Sequence, residues 1–468
     1  MIALISRPPD RRVSAMLTVI ATGLFFLLIN VAAGAATQEN AAGTEPRAED
    51  GRKPIITQIL GVGLRRHFNP TETEIDQALD DMRDAGFTLC WSASPPTWTR
   101  HILENEAELK HIRRIADALR EHGIGVSFGF HWHTLLPKKN PQSATRAWRG
   151  EVLNPETGQF ETKNWNFGNE DALHAFATRC RKLFRTVGPA EMVFADEVNL
   201  AKAGKKSHLH RISTYWTSPT FSHEALQSFR RFLAGQGYPN AAQARFPVTT
   251  VEHQPGPKAN MGLPAVPLNE RNSDRLIADN NWPESPLWKH WYAWREGLYC
   301  DWLDTLTTAA YDVYGDYEHW LGCFYANPVH WMTTELGHNL DRIVRLPHLD
   351  YVIAGYTTGD RFEPVKKAAE KAGKGWGVQV EVSRYGQSEG MSPEWIEATF
   401  KEAARAGASI ITCYAGWSLR TDMTDVSQKQ RQKGWYYMPE QEKAWKACIR
   451  WLQKSRGRLK LNFDDAND

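Results

Sequence analysis

The sequence predicts an α/β protein, a (β/α)8 (TIM) barrel with a long insertion after strand 4. From residue 55 to residue 455, short apolar runs alternate with amphipathic segments. Eight strand-helix pairs can be counted, which favours parallel pairing with helical crossovers and matches a closed barrel. No GxGxxG or phosphate-binding loop follows the first strand, which disfavours an open nucleotide-binding sheet, and we expect no cofactor.

The first half of the barrel is predicted from apolar runs and helix-capping signals. Strands are expected at 55–64, 87–93, 124–132 and from 191 onward, and helices at 71–86, 108–123 and 170–184. The first helix has the clearest signals, because Thr71 and Glu74 form a capping box and Gly86 ends the apolar spacing. A long loop is expected between the third strand and the third helix.

The second half follows the same alternation after an irregular insertion. A helix at 222–238 is followed by the Pro-rich stretch 239–284, which has no clear period. Further helices are expected at 285–314, 333–346, 362–373, 392–407 and 439–455, and strands at 317–326, 349–357, 375–383 and 408–417. The catalytic barrel is therefore assigned to residues 55–458 and a C-terminal tail to 459–468.

The N-terminus has the pattern of an export signal. Arg7, Arg11 and Arg12 precede an apolar run over residues 15–36, which ends in small residues suited to cleavage. The run is also about long enough to span a bilayer, so residues 1–36 are either a signal peptide or a membrane anchor. Residues 37–54 are polar and are interpreted as a disordered linker. We expect a periplasmic or extracellular protein, whose only membrane contact would be an uncleaved N-terminal segment.

Composition limits the partners. The formal net charge is +2 without a basic stripe, which gives no support for nucleic-acid binding. The 19 Trp residues suit a surface that stacks on sugar rings, although many are expected in the core. Most of the six Cys are expected to be buried, unreactive thiols.

The candidate site residues follow from the strand ends, because barrels of this type carry their active sites there. The predicted positions are Arg65, Trp98, His131, His133, Asp196, Glu197, Asn199, Tyr325, Tyr356, Glu381, Arg384 and Trp417. Glu197 and Glu381, at the ends of strands four and seven, are the outstanding pair. Cleavage of a glycoside needs two carboxyl groups, one to protonate the departing oxygen and one to attack the anomeric carbon or activate water.

With these residues in place, the chain resembles a clan A glycoside hydrolase. It is most similar to the catalytic domain of family 42 β-galactosidases, over about residues 55–455, including "FSHEALQSFRRFLAGQGY" and "PLWKHWYAWREGLYCDWL" between strands four and five. The resemblance implies that Glu197 is the acid/base and Glu381 the nucleophile of a retaining reaction. It also implies that Tyr356 forms a hydrogen bond with the nucleophile and that Trp417 forms the floor of the sugar site.

One residue departs from the clan pattern. The clan usually has Asn before the acid/base, whereas this chain has Asp196. An Asp can still accept a hydrogen bond from a sugar hydroxyl, and its charge would raise the proton affinity of Glu197.

Three other interpretations stay open. Asp196 and Glu197 could form structural salt bridges at the barrel rim with Arg65 or Arg384. The protein could instead be a carbohydrate-binding barrel without catalysis, with Asp196 as a sign of drift. His131 and His133 form an HxH motif that suits sugar hydroxyls but can also ligate zinc in a metal-dependent hydrolase. No matching set of later His residues follows, so we expect no metal.

Overall fold

Eight parallel strands close into a barrel in the computed structural model of the protein. The structure describes residues 55–60, 64, 70–91, 101–130, 135, 149–153, 160–165, 168–195, 223–244, 246–247, 277–278, 287–315, 320–325, 338–357, 362–381, 391–416 and 439–456. The barrel strands are β1 (Ile56–Leu60), β2 (Leu89–Trp91), β3 (Gly125–Phe130), β4 (Met192–Ala195), β5 (Trp320–Tyr325), β6 (Tyr351–Thr357), β7 (Gly375–Glu381) and β8 (Ile410–Gly416). The chain divides into the units Met1–Gly51 and Arg52–Asp468, and every described residue belongs to the second.

The strands follow one another around the ring in chain order. Each strand pairs in parallel with the next, and β1 closes the ring by pairing with β8 as well as with β2. Because all strands are parallel, their C-terminal ends meet at one mouth. The predicted fold class is therefore confirmed, and each of the eight predicted strands is present.

Helices connect the strands on the outside of the barrel. They are α1 (Glu72–Ala85), α2 (Glu106–Glu121), α3 (Glu170–Val187), α4 (His223–Gly235), α5 (Leu287–Tyr314), α6 (Leu340–Ile343), α7 (Glu363–Lys371), α8 (Pro393–Ala406) and α9 (Pro439–Arg456). The capping box of α1 is present, with the Thr71 hydroxyl accepting from the Glu74 amide and the Glu74 carboxylate accepting from the Thr71 amide. The Ser392 hydroxyl caps α8 by accepting from the Trp395 amide, and Pro393 lies in the first turn.

Two predicted stretches differ from the structure. The expected loop after the third strand contains an antiparallel hairpin, Arg149–Leu153 with Phe160–Trp165. The expected helix at 333–346 is only one turn in its described part, because Asn339 is extended and its side chain caps the Arg342 amide. The insertion after β4 contributes α4 and a two-residue parallel bridge, Phe246–Pro247 with Ile277–Ala278.

The apolar side chains of the described residues form two cores. The larger core lies between the barrel and its helices and includes Val193 and Ala195 of β4 with Trp302 of α5. The smaller core joins α4 to the first half of α5, through residues such as Phe229 and Trp294. The long α5 therefore carries the insertion at its N-terminal half and covers the barrel with the rest.

Five cysteine thiols among the described residues are free and buried, as expected from the sequence: Cys90, Cys180, Cys300, Cys413 and Cys448. Burial raises the pKa of Cys300 and of Cys448 to about 12, and it raises the pKa of Cys180 well above its usual value. These groups therefore remain protonated and unreactive at neutral pH. Among the described helices, none is both long and apolar enough to cross a bilayer. The proposed export segment lies outside the described residues.

Candidate active site

A hydrogen-bonded group at the centre of the barrel identifies the inward face of the strands. The Gln58 amide on β1 donates to the Ser127 hydroxyl on β3 at 2.6 Å and lies 3.7 Å from the Met192 sulfur on β4. The Thr412 hydroxyl on β8 donates to the other end of the same amide at 2.8 Å. Because β1 neighbours neither β3 nor β4, these contacts must cross the interior. The four side chains therefore point inward.

The interior becomes polar towards the mouth along β7. A Cβ atom on Gly377 would lie 2.7 Å from the Ile410 carbonyl oxygen, so this level of the barrel has no room for a side chain. Gln379, two residues further, is fully buried and pairs by its backbone with Thr412. Amides and hydroxyls thus lie among the side chains of the barrel interior below the mouth, whereas bulky branched residues fill most barrels of this type.

Strand tilt sets which residues share a level. In an eight-stranded barrel of shear 8, the level advances by about one residue at each strand step. The hydrogen bond of Gln58 follows this rule. By backbone pairing, Gln58 lies beside Leu89, and Leu89 lies beside Gly125. The Gln58 side chain nevertheless reaches Ser127, which comes two residues after Gly125 on β3.

The same rule connects β4 to β7. The pairings between them are Val193 with Leu321, Gly322 with Tyr351, and Val352 with Trp376. When one residue is added after each pairing, Val193 on β4 and Gly377 on β7 fall at the same level along the barrel axis. Glu381 is the last residue of β7 and lies four residues beyond Gly377. Glu197 comes four residues after Val193 in the sequence, two after the described end of β4.

Three sequence-predicted site residues have a described backbone. Tyr325 ends β5, Tyr356 is the penultimate residue of β6, and Glu381 ends β7. These three positions therefore lie at the mouth on consecutive strands. The remaining predictions fall outside the described residues: Arg65, Trp98, His131, His133, Asp196, Glu197, Asn199, Arg384 and Trp417.

Sequence reasoning missed the polar interior beneath these positions. Gln58 and Gln379 each interrupt an apolar strand, in "IITQIL" and "GWGVQVEV". A single amide in such a run is costly unless it is hydrogen-bonded inside the fold, so the interruption was a usable signal. No group of three His, Cys, Asp or Glu suited to a metal ion occurs in the part of the chain that the structure describes.

The sequence matches no protein-family model and no curated protein. Its structure is similar to solved β-galactosidases. The enzyme of Bacillus circulans sp. alkalophilus has a TM-score of 0.55 at 10% identity, over 88% of this chain and 57% of that one. Those of Marinomonas ef1 and Halorubrum lacusprofundi have TM-scores of 0.52 at 11% and 12% identity, over 85% and 87% of this chain.

The likeness to these glycoside hydrolases lies in the fold. The chain spans 57% to 59% of the length of the three β-galactosidases. At such low identity the common feature is the (β/α)8 barrel, a scaffold that hosts many chemistries. Function must therefore be argued from the residues at the mouth.

Proposed function

We propose that the protein is a retaining glycoside hydrolase that cleaves β-glycosidic bonds of a poly- or oligosaccharide. The observation that supports this most is that β7 ends in Glu381 at the mouth, where the end of β4 leads two residues later in the sequence into Glu197. The two strands are three steps apart in a ring of eight, so a cleft at the mouth separates their ends. Glutamates that reach this cleft from both strands would supply the two carboxyl groups that glycoside cleavage requires.

The proposed reaction has two steps. Glu381 attacks the anomeric carbon while Glu197 gives its proton to the departing glycosidic oxygen, which leaves a glycosyl ester on Glu381. Water then attacks the same carbon, Glu197 takes the proton from that water, and the ester bond breaks to release the sugar. Inversion occurs twice, so the configuration is retained, and this route calls for carboxyl groups about 5–5.5 Å apart.

The other predicted positions are proposed to hold the sugar. Tyr356 would hydrogen-bond the nucleophile and Trp417 would form the floor of the site, as the clan resemblance implies. Hydroxyl contacts are assigned to the remaining polar residues and stacking to Trp98. These polar residues are Arg65, His131, His133, Asp196, Asn199, Tyr325 and Arg384.

Replacement of the proposed nucleophile tests the assignment. Glu381→Gln keeps the size of the side chain but removes the attacking charge, so kcat should fall by at least about a thousandfold. Release of reducing ends from a panel of aryl β-glycosides and polysaccharides measures this loss. Retention is checked separately, by the anomer that NMR detects first in the product.

The matched control is Glu389→Gln, which changes a second carboxylate eight residues further along the chain. It should keep activity within a few-fold of the parent. Equal activity of Glu381→Gln and the parent would remove the nucleophile assignment. A parent that binds sugars in a thermal shift assay but cleaves none would point to the binding-only interpretation, and loss of activity on chelation would point to a metal.

A further inference from the structure

Two cationic side chains flank one tryptophan on the outer surface of the barrel. Trp451 of α9 is half-buried against the larger core. The centre of its ring lies 5.6 Å from the Lys401 ammonium and 5.8 Å from the Arg405 guanidinium, both on α8. These are the distances of cation–π contacts. An indole beside cations is also the combination that suits the boundary between anionic lipid headgroups and water.

The basic face consists of this tryptophan and the cations around it in the last turns of α8 and α9: Lys401, Arg405, Arg450, Trp451, Lys454 and Arg456. Glu397 forms a salt bridge with Lys401, and Glu402 is exposed in the same part of α8. Five cations and two carboxylates leave a net charge of +3. Because the whole chain carries only +2, this excess belongs to the basic face and not to the molecule in general.

Stabilisation of the helix ends explains only part of this charge. A cation in the last turn of a helix interacts favourably with the helix dipole, but the effect falls off within that turn. Arg450 is exposed and lies six residues before the end of α9, which is more than one turn. Arg450 and the exposed part of the Trp451 ring therefore point to an external partner.

The basic face lies on the side of the barrel opposite the mouth. Helix α8 follows the mouth end of β7 and ends shortly before β8 begins, so its last turns lie beside the strand beginnings. The Arg456 guanidinium donates to the Ala404 carbonyl, which brings the end of α9 beside the end of α8. At the opposite ends of these helices, the Gln441 amide donates to the Met391 carbonyl at 2.8 Å. The basic face and the candidate active site are therefore on opposite sides.

The chain enters the barrel on the same side as the basic face. The first residue of β1, Ile56, donates its amide hydrogen to the Ser409 carbonyl at 2.9 Å. Ser409 stands between the end of α8 and the start of β8. The linker over residues 37–54, which follows the apolar run at 15–36, therefore joins the barrel near the end of α8 and not at the mouth.

We propose that the basic face docks the barrel on an anionic phospholipid surface, with the mouth turned away from the membrane. Lipid phosphates pair with the guanidinium and ammonium groups, and the Trp451 indole lies at the level of the headgroups. The cations come from two helices that meet only in the folded barrel. The docking stands on the charge and position of the basic face, so it does not depend on the proposed reaction.

Lysine footprinting of the full chain tests the docking. The protein is mixed with vesicles of phosphatidylcholine, with or without phosphatidylglycerol, and acetylation of each lysine is followed by mass spectrometry. Lys454 should react at least about fivefold more slowly on the anionic vesicles, because lipid headgroups cover it. Lys443, exposed near the beginning of the same helix, is the matched control and should react equally on both. A retained apolar segment would insert into both kinds of vesicle, so the comparison reports on the basic face.

Charge reversal assigns the protection to the basic face. Arg405→Glu combined with Arg450→Glu changes two exposed side chains and should restore the reaction rate of Lys454 to within about twofold of its value on neutral vesicles. The control combines Lys110→Glu with Lys443→Glu, which alters the net charge equally at the beginnings of α2 and α9. It should leave the protection of Lys454 in place. Salt at about 1 M, where the Debye length is about 3 Å, should remove the protection in the parent.

Three outcomes would overturn the docking. The first is equal acetylation of Lys454 on anionic and neutral vesicles, and the second is equal loss of protection in the two charge-reversal pairs. The third is protection by heparin without protection by vesicles, which would assign the basic face to a soluble acidic polymer. None of these measurements uses a glycoside, so failure of the docking is distinct from failure of the proposed function.

Discussion

At the scale of single residues, the protein buries polar groups both inside the barrel and between the lower end of the barrel and its helices. Near the centre, the Gln58 amide is hydrogen-bonded at both ends, which makes its burial tolerable. At the bottom, the buried carboxylate of Glu191 accepts from the Val126 amide and lies 3.8 Å from the Arg120 guanidinium. Burial nevertheless raises the pKa of Glu191, with Arg120 and the Val126 amide opposing the effect.

The raised pKa of Glu191 predicts how stability changes with pH. The folded protein holds this proton at pH values where the unfolded chain, with a pKa near 4.5, has released it. The contribution of Glu191 to stability is therefore lost as pH rises from about 4.5 through the folded pKa. Glu191→Gln removes that loss while it keeps an acceptor for the Val126 amide.

Relative to the parent, Glu191→Gln should thus become progressively more stable between pH 4 and pH 7. Urea unfolding at several pH values measures the difference in free energy. Parallel curves for the two proteins would mean that Glu191 titrates alike in the folded and unfolded states.

At the scale of elements, the helix ends determine how α1 and α2 enter the following strands. Both helices end in a glycine with a left-handed backbone, Gly86 at φ +91° and Gly123 at φ +72°. The two sites differ in their surroundings. A Cβ on Gly86 would overlap the side chains of Gln453 and Ile449 on α9, whereas a Cβ on Gly123 would meet no atom within 4 Å.

This contrast predicts unequal costs for the same substitution. Gly123→Ala should lower the free energy of unfolding by about 1 kcal/mol, through backbone strain alone. Gly86→Ala should lose about 3 kcal/mol, because the overlap with α9 is added to that strain. Chemical denaturation of the two variants measures both values. Equal losses would show that α9 moves aside without cost.

Sequence signals predicted individual elements correctly where the signals depend only on neighbouring residues. The capping box at Thr71 and the stop at Gly86 defined α1 to within a residue, because both depend on the chain nearby. The hairpin of Arg149–Leu153 and Phe160–Trp165 was missed although Asn154, Pro155 and Gly158 stand between its strands in the sequence. Its strands carry charged residues and lack a long apolar run, so apolar spacing could not reveal them.

At the scale of the whole molecule, the barrel brings distant parts of the chain to one mouth. Strands β4 and β7 are far apart in the sequence, yet parallel pairing through β5 and β6 aligns their ends. The insertion after β4 adds a second core on α5 and leaves the strand order unchanged. Such additions alter what surrounds the mouth while the scaffold is kept.

The N-terminal segment predicts where the whole molecule is found. We propose that residues 1–36 direct export, on the basis of their arginines and the apolar run at 15–36. Cell fractionation should place the full chain in the periplasm, the medium or the membrane, and mass spectrometry of its N-terminus shows whether cleavage occurs. A chain that lacks residues 1–36 should stay in the cytoplasm, and export of that shortened chain would contradict the proposal.

The sequence by itself determined the fold class, the eight strand-helix pairs and the helix caps, because apolar spacing and capping are properties of neighbouring residues. It also selected Glu197 and Glu381 as candidates, since each follows or ends an apolar strand. Only the tertiary structure decided that Val193 and Gly377 share a level and that Gln58 reaches Ser127, because register and tilt arise from pairing between strands.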